Sequence, residues 1–369
     1  MSTTRGYLDT ASAEPLHPAA RDTLLAALDR GWGDPRRLHR AGRDARALLD
    51  NARAVVAEAL GVHPDEIGFT ASGTDAVHRG LLGLVAARSA DGIVHSAVEH
   101  SAVLHAAAWH DSPAHVAVPV DADARVDADA MAAAARRPGV AAVALQAANQ
   151  EVGTLQPVDE LDLPDGVPLF VDAAAAVGRV ALPQRWSALS ASAHKWGGPS
   201  GVGVLAVRRS ARWTTPFPGD DGLEQLGESV PAALAAAAAL QAVLAERDAT
   251  AVRQRQQVDR IRAAASALPD TEVVGDPVDR LPHLVTFSCL YISGDELVSA
   301  LDRRGFAVAS GSACTSSSLE PSHVLAAMGA LTHGNVRVSL RRDTTDEEVA
   351  EFCTALTEVV AEIRAGVGL

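Results

Sequence analysis

Ser192-Ala193-His194-Lys195-Trp196-Gly197-Gly198-Pro199 reads as a polar, glycine-rich turn, and the apolar run Gly201 to Val207 behind it has the length of a buried strand. Of the 32 lysine and arginine residues in the chain, Lys195 alone is lysine. Arginine has taken over wherever a bare positive charge suffices, in a composition rich in alanine and arginine, so a retained lysine points to chemistry that guanidinium lacks. A desolvated amine condenses with a carbonyl, whereas a guanidinium stays protonated. The plainer alternative is chance survival at a surface position.

Working outward, the short apolar runs Val140 to Leu145 and Pro168 to Val171 are too short for helices and read as further buried strands. Helical and strand patterns alternate through the first two thirds of the chain, the mark of an α/β layer fold with parallel strands. Ligands of such sheets lie beyond the carboxyl ends of the strands. Asp172 stands at such an end, about twenty residues before Lys195. A strand-end carboxylate followed by a lysine in a glycine-rich turn suits pyridoxal phosphate, whose ring nitrogen needs an acidic partner and whose aldehyde needs an amine. Phe69-Thr70-Ala71-Ser72-Gly73-Thr74-Asp75 reads as a strand end, a turn and a helix start whose N–H groups suit a phosphate. Taken alone, such a turn is equally a simple connector.

A helix is expected over Arg43 to Leu60, stopped by Gly61. Ser229 and Pro231 open an alanine-rich helix to about Arg247, followed by a charged helical stretch to about Leu268. His283 to Leu290, Phe306 to Ala309 and Val336 to Leu340 are candidate strands, and a last helix starts at Thr344 or Thr345. These patterns place a large domain at residues 16–250 and a small α/β domain formed by residues 1–15 and 251–369. With 369 residues, 48% of them hydrophobic, the chain can bury a full core. No charge-free run of eighteen or more apolar residues is present, so no membrane helix is expected. The net charge of −14 opposes direct binding of nucleic acid or anionic lipid. Cys289, Cys314 and Cys353 are scattered, and no signal peptide precedes residue 16, which points to a reduced, cytoplasmic protein. No metal is expected.

With these pieces in order, the sequence resembles the class V, fold-type I pyridoxal-phosphate enzymes, and among them the NifS-type cysteine desulfurases. The resemblance runs from Tyr7-Leu8-Asp9 to the last helix. Its most specific part is Ser310-Gly311-Ser312-Ala313-Cys314-Thr315-Ser316 with Ser318-Leu319-Glu320-Pro321-Ser322-His323-Val324-Leu325, similar to the mobile loop that carries the family's persulfide-forming cysteine. Glu99-His100, Gln150-Glu151-Val152-Gly153, Val171-Asp172-Ala173 and Val336-Arg337-Val338-Ser339-Leu340 also match. The resemblance implies a mainly parallel seven-stranded sheet in the large domain, a smaller C-terminal α/β domain carrying the cysteine loop, and a homodimer. It implies that Lys195 binds pyridoxal phosphate and abstracts the substrate's α-proton, that Asp172 pairs with the ring nitrogen, and that His100 stacks on the ring. Gly73, Thr74, Ser192 and His194 would hold the phosphate, Arg337 would clamp the carboxylate of L-cysteine, and Cys314 would attack its sulfur.

Plainer roles stand beside these. Asp172 is also placed to cap the next element, and Arg337 to be a strand charge. Cys289 and Cys353 read as core thiols. The pattern departs from the family at three places. Ala175 stands where a glutamine usually bonds the cofactor's phenolic oxygen. Gln150 replaces an asparagine, with Asn149 beside it, so the amides of Gln150 and Asn149 become candidates for cofactor and substrate contact. Leu223-Glu224-Gln225-Leu226-Gly227-Glu228-Ser229 replaces an arginine-rich stretch and keeps one hydroxyl, Ser229, for either phosphate contact or a helix cap. The resemblance thus implies a desulfurase that converts L-cysteine to L-alanine and passes sulfur to an acceptor protein. Specialised thio-modification, such as DNA phosphorothioation or tRNA thiolation, and iron–sulfur assembly are the outlets. A selenocysteine lyase or aminotransferase of the same fold, and a non-catalytic partner-binding scaffold, are the rivals. Retention of the single lysine argues against the scaffold.

Overall fold

A computed structural model of the chain describes residues 5–109, 112–218, 222–224, 227–310 and 321–366. Cys314 and most of its motif lie outside the described residues. From the N-terminus run helices α1 (Pro18–Leu28) and α2 (Arg40–Leu60), β1 (Ile67–Thr70), α3 (Gly73–Ala86), β2 (Gly92–Ser96), α4 (Ser101–Ala108) and β3 (Val116–Val118). Then follow α5 (Ala128–Ala135), β4 (Val140–Ala144), β5 (Leu169–Asp172), β6 (Ala188–Ser192), β7 (Gly203–Val207) and α6 (Val230–Ser266). The C-terminal part holds β8 (Thr271–Val274), β9 (Leu284–Cys289), α7 (Gly294–Arg303), α8 (His323–Met328), β10 (Asn335–Ser339) and α9 (Asp346–Gly366).

Among the described residues, seven strands form one sheet in the order β1-β7-β6-β5-β4-β2-β3. β3, β2, β4, β5 and β6 are parallel, and only β7 runs against its neighbours. The mainly parallel seven-stranded sheet is thus the one expected. Its strands are apolar on both faces because both are covered. In β4, Ala142 and Ala144 join the core under α3 and α4, whereas Val143 joins the core under α1, α2 and α6. Gly61 ends α2 in the left-handed conformation at φ 66°, which glycine adopts without a Cβ clash.

β10, β9 and β8 make a second, antiparallel sheet. Its core unites Val258 and Ile261 of α6 with Phe287, Leu297, Val336 and Phe352, and it also takes in Leu8. Three residues later Ala11 belongs to the core of the large sheet. The N-terminal segment therefore crosses from one core to the other.

Two expectations about elements are corrected. The alanine-rich and charged stretches form one continuous helix, α6, instead of two. The change in composition near Arg247 reflects a change of neighbour: Ala233 to Ala237, Ala239 and Leu240 are buried in the large core, while Gln254 Nε2 donates to the carbonyls of Leu340 (3.3 Å) and Arg341 (3.1 Å). α6 is long and apolar enough by composition to cross a membrane, but half of its most apolar window is buried inside the protein, as in a core helix. Residues 306–309 form no strand and make isolated bridges, Ala307 to Tyr7 and Ala309 to Arg337. The four-residue run spans two partners and extends along neither. Proline at the exposed Ala249, deep inside α6, should cost about 3 kcal/mol in urea unfolding, because it removes a helix bond without touching the core. A loss below about 1 kcal/mol would mean that the helix is broken there.

Candidate active site

Five strands release a singled-out residue from one edge of the large sheet. Gly73 and Thr74 follow β1, His100 follows β2, Asn149 and Gln150 follow β4, Asp172 ends β5, and Ser192 ends β6 just before His194 and Lys195. Strand direction explains the convergence, since β1, β2, β4, β5 and β6 all end at that edge.

The start of α3 lies directly against the lysine turn. A Cβ on Gly73 would sit 2.8 Å from Ser192 Cβ and 3.0 Å from its Oγ, so glycine is required for the approach. Ser72 caps the helix, its Oγ accepting from Asp75 N–H at 3.0 Å. Thr74 is exposed at the same helix start, where unspent N–H groups and the helix dipole favour an anion. Ser192 Oγ lies 3.1 Å from His194 Nδ1. Burial, reinforced by the charge of Lys195, pushes His194 down to about 4, so its ring is neutral at neutral pH and can both donate and accept. Lys195 Nζ donates to the Ala11 carbonyl.

Asp172 Oδ1 accepts from Ala174 N–H at 3.0 Å and from Ser190 Oγ–H at 3.2 Å, which fixes the buried carboxylate at the strand end. His100 caps α4, its Nδ1 accepting from Ala102 N–H at 3.1 Å. Burial lowers its pKa; Asp172 opposes the shift and Lys195 adds to it, which puts all three in one electrostatic neighbourhood. Glu99 beside it is fully buried, and desolvation raises its carboxyl well above the usual range. Its Oε1 accepts from Gln146 N–H at 2.9 Å.

Arg337 reaches the site from β10. Its Nη1 donates to the Gln150 carbonyl at 3.1 Å, and its Nη2 donates to Asp9 Oδ1 at 3.1 Å and Ser12 Oγ at 2.7 Å. Nε is buried with no partner among the described residues, a donor unspent on the protein. The plain reading of Arg337 as an exposed strand charge is excluded, since it is 4% exposed. Asn149 requires a correction. Its Oδ1 accepts from the N–H groups of Glu151 (2.8 Å) and Val152 (2.9 Å), and its Nδ2 donates to the Val98 carbonyl (3.1 Å). It is fully buried and braces its own turn, so a substrate contact is not its role. Gln150 and Ala175 are half-buried. Ser229 stands apart. It caps α6, its Oγ accepting from Ala232 N–H at 3.4 Å, beside a cavity of about 630 Å³ that includes Trp32 and Arg53. Cys289 is buried in the small core, while Cys353 is half-buried on α9.

The sequence profile of the family described as Aminotransferase class-V matches residues 6–352. The chain belongs to that family. It is 37% identical to a cysteine desulfurase of Cereibacter sphaeroides, covering 98% of this chain and 97% of the relative, and 34% identical to the cysteine desulfurase NifS of Azotobacter vinelandii, covering 97% and 93%. These matches put it on the NifS-type cysteine desulfurase branch of the class-V aminotransferases. A solved NifS-like protein superposes with a TM-score of 0.88 at 26% identity, covering 97% of this chain and 100% of that one.

Around this class-V site the structure adds residues that no local motif announces. Glu14, Arg179 and Arg342 form a buried ionic group behind the lysine turn, and His283 is buried near it with Nδ1 unpartnered among the described residues. Their partners are remote in sequence, 165 residues apart for Glu14 and Arg179, so only the fold brings them together.

The low pKa of His194 has a signed consequence. The unfolded imidazole takes its proton near its ordinary 6.5 and the folded one only near 4, so the stability linked to His194 is complete above 6.5 and drains as pH falls through that window. His194→Gln should therefore show a smaller drop in urea midpoint between pH 7 and pH 5 than the parent chain. An equal drop would mean that the ring is not held neutral.

Proposed function

We propose that this chain is a pyridoxal-phosphate-dependent cysteine desulfurase that converts L-cysteine to L-alanine and leaves the sulfur as a persulfide on Cys314. The observation that carries the reading is the convergence of Lys195, Asp172, His100 and the α3 N-terminus at one sheet edge, with Arg337 arriving from the second sheet. The residues present fit the cofactor. The close approach of Gly73 to Ser192 shapes a cradle of N–H and hydroxyl donors for a phosphate, Asp172 offers a fixed carboxylate to a basic ring nitrogen, and Lys195 offers an amine to an aldehyde.

Pyridoxal phosphate, when bound, supplies the carbonyl and an electron-accepting ring for chemistry at the substrate α-carbon. Lys195 would hold that group and move the α-proton. Asp172, fixed by Ala174 N–H and Ser190 Oγ–H, would pair with a protonated ring nitrogen, and His100 would face the ring. Arg337, whose Nε has no partner among the described residues, would meet the substrate carboxylate. The Cys314 thiolate then attacks the substrate sulfur: the carbon–sulfur bond breaks, a sulfur–sulfur bond forms, and a proton returned to carbon completes alanine.

The sulfur is destined for a protein acceptor, because a chain of net charge −14 repels nucleic acid. A homodimer is supported by the exposed apolar side chains Leu28 and Trp32 at the Ser229 cavity, where that hydroxyl would face a partner subunit. Thiol chemistry needs a reducing compartment, which favours the cytoplasm.

Purified protein supplied with pyridoxal phosphate and L-cysteine should release alanine and carry added sulfur on the 314 peptide in mass spectrometry. Cys314→Ser should bind cysteine but release almost no alanine; undiminished release would favour a lyase in which that thiol is dispensable. Arg337→Lys keeps the charge and loses the planar fork, so kcat/KM should fall by about 2 kcal/mol or more, with cofactor occupancy unchanged. Unchanged turnover would remove Arg337 from the substrate contact.

A further inference from the structure

The lysine turn is gripped by the segment that crosses between the two cores. Glu14 N–H donates to the His194 carbonyl at 2.8 Å, and His17 N–H donates to the Gly197 carbonyl at 2.8 Å. The Ala11 carbonyl accepts from Lys195 Nζ. The carbonyl of Trp196, in the same turn, accepts from Arg342 Nη2 at 3.1 Å. Arg342 lies just beyond β10, the strand that carries Arg337, and Arg179 lies in the segment that follows Asp172.

The Glu14 carboxylate joins these pieces. It pairs with Arg179 Nη2 and stands 3.9 Å from Arg342 Nε, and the three side chains are 10% exposed or less. Burial and the neighbouring Arg179 push Arg342 down to about 10, against the pull of Glu14 and Glu246. His283, fully buried, is held neutral by desolvation and by the charges of Arg179, Arg342, Arg337 and Lys195. The cationic side of this neighbourhood therefore comprises Lys195, Arg179, Arg342 and Arg337. The anionic side comprises Glu14, Asp172, Glu246 and Asp9, the last engaged with Arg337. Among the described residues, His17, His100, His194, His283, His323 and Tyr7 are further titratable groups that face these charges or one another. One buried carboxylate thus serves two buried guanidiniums, an arrangement that is costly to break at its centre.

We propose that Glu14 is a positioning residue of this active site: through Arg179 and Arg342 it locks the crossover segment onto the lysine turn, and it balances the positive charge around the Lys195 amine. The proposal rests on reading Lys195 as the reactive amine, and its test needs neither cofactor nor turnover. Because the chain has a single lysine, ε-amine acylation reports on that residue alone. The full-length, cofactor-free chain is treated briefly with acetic anhydride across a pH series, and acetylation of the 195 peptide is quantified by mass spectrometry.

Glu14→Gln removes a negative charge and should lower the pH midpoint of Lys195 acetylation by about half a pH unit or more. Arg342→Gln removes a positive charge, leaves the Glu14 to Arg179 pair, and should raise the midpoint. A purely structural role would not give shifts of opposite sign. Midpoints unchanged in both variants, or moved in the same direction, overturn the proposal, and Arg342→Gln alone decides it if Glu14→Gln does not fold. Opposite shifts in a chain that releases no alanine from cysteine would leave this inference standing and remove the desulfurase reading.

Discussion

The turn that carries Lys195 is held from outside. Its short 3-10 segment, Ala193 to Lys195, has no side-chain cap of its own, and the crossover segment from Ala11 to His17 supplies the missing grip through the carbonyls of His194 and Gly197 and the amine itself. The same segment begins in the small core at Leu8, places Asp9 and Ser12 on Arg337, and ends in α1 on the large sheet. A short stretch of chain therefore sets the distance between Arg337 and the lysine turn. Rigid support from packed elements is what a catalytic constellation needs, and here the support spans both cores.

The charge pattern follows from burial. Desolvation raises the Glu99 carboxyl well above its usual range, and it lowers His194 and His283, which are held neutral. The charged groups left to act are Lys195, Asp172, Arg337 and the ionic group behind them. Groups whose environments push their protonation apart are the usual sign of divided roles in one site. The turn after β4 ties the halves together further. Thr286 Oγ of β9 donates to the Glu151 carbonyl at 2.6 Å, and the Ser322 hydroxyl at the head of α8 donates to the Glu151 carboxylate at 2.5 Å.

The large sheet and its ligand edge were legible because parallel strands leave their residues at one edge, so Asp172 and Lys195 could be placed from order alone. Strands with weak apolar signatures were not legible. β6, Ala188 to Ser192, has a single large apolar residue, Leu189, among alanines and serines, and is a strand because β5 and β7 flank it. β3 has three residues. α6 read as two helices because its two ends pack in different cores. Asn149 read as a substrate contact because it stands beside Gln150, which replaces the family's asparagine, and nothing in the sequence shows that its bonds close within the turn. Glu14 gave no signal, since a lone glutamate before a proline looks like a solvated loop residue until Arg179 and Arg342 are folded against it.

The central claim is that the single lysine carries the cofactor. Borohydride reduction of the pyridoxal-phosphate-loaded protein, followed by peptide mass spectrometry, tests it directly. The account predicts that the cofactor becomes fixed to the peptide containing residue 195 and nowhere else. Reduction that fixes no cofactor, or fixes it to a different peptide, would contradict it.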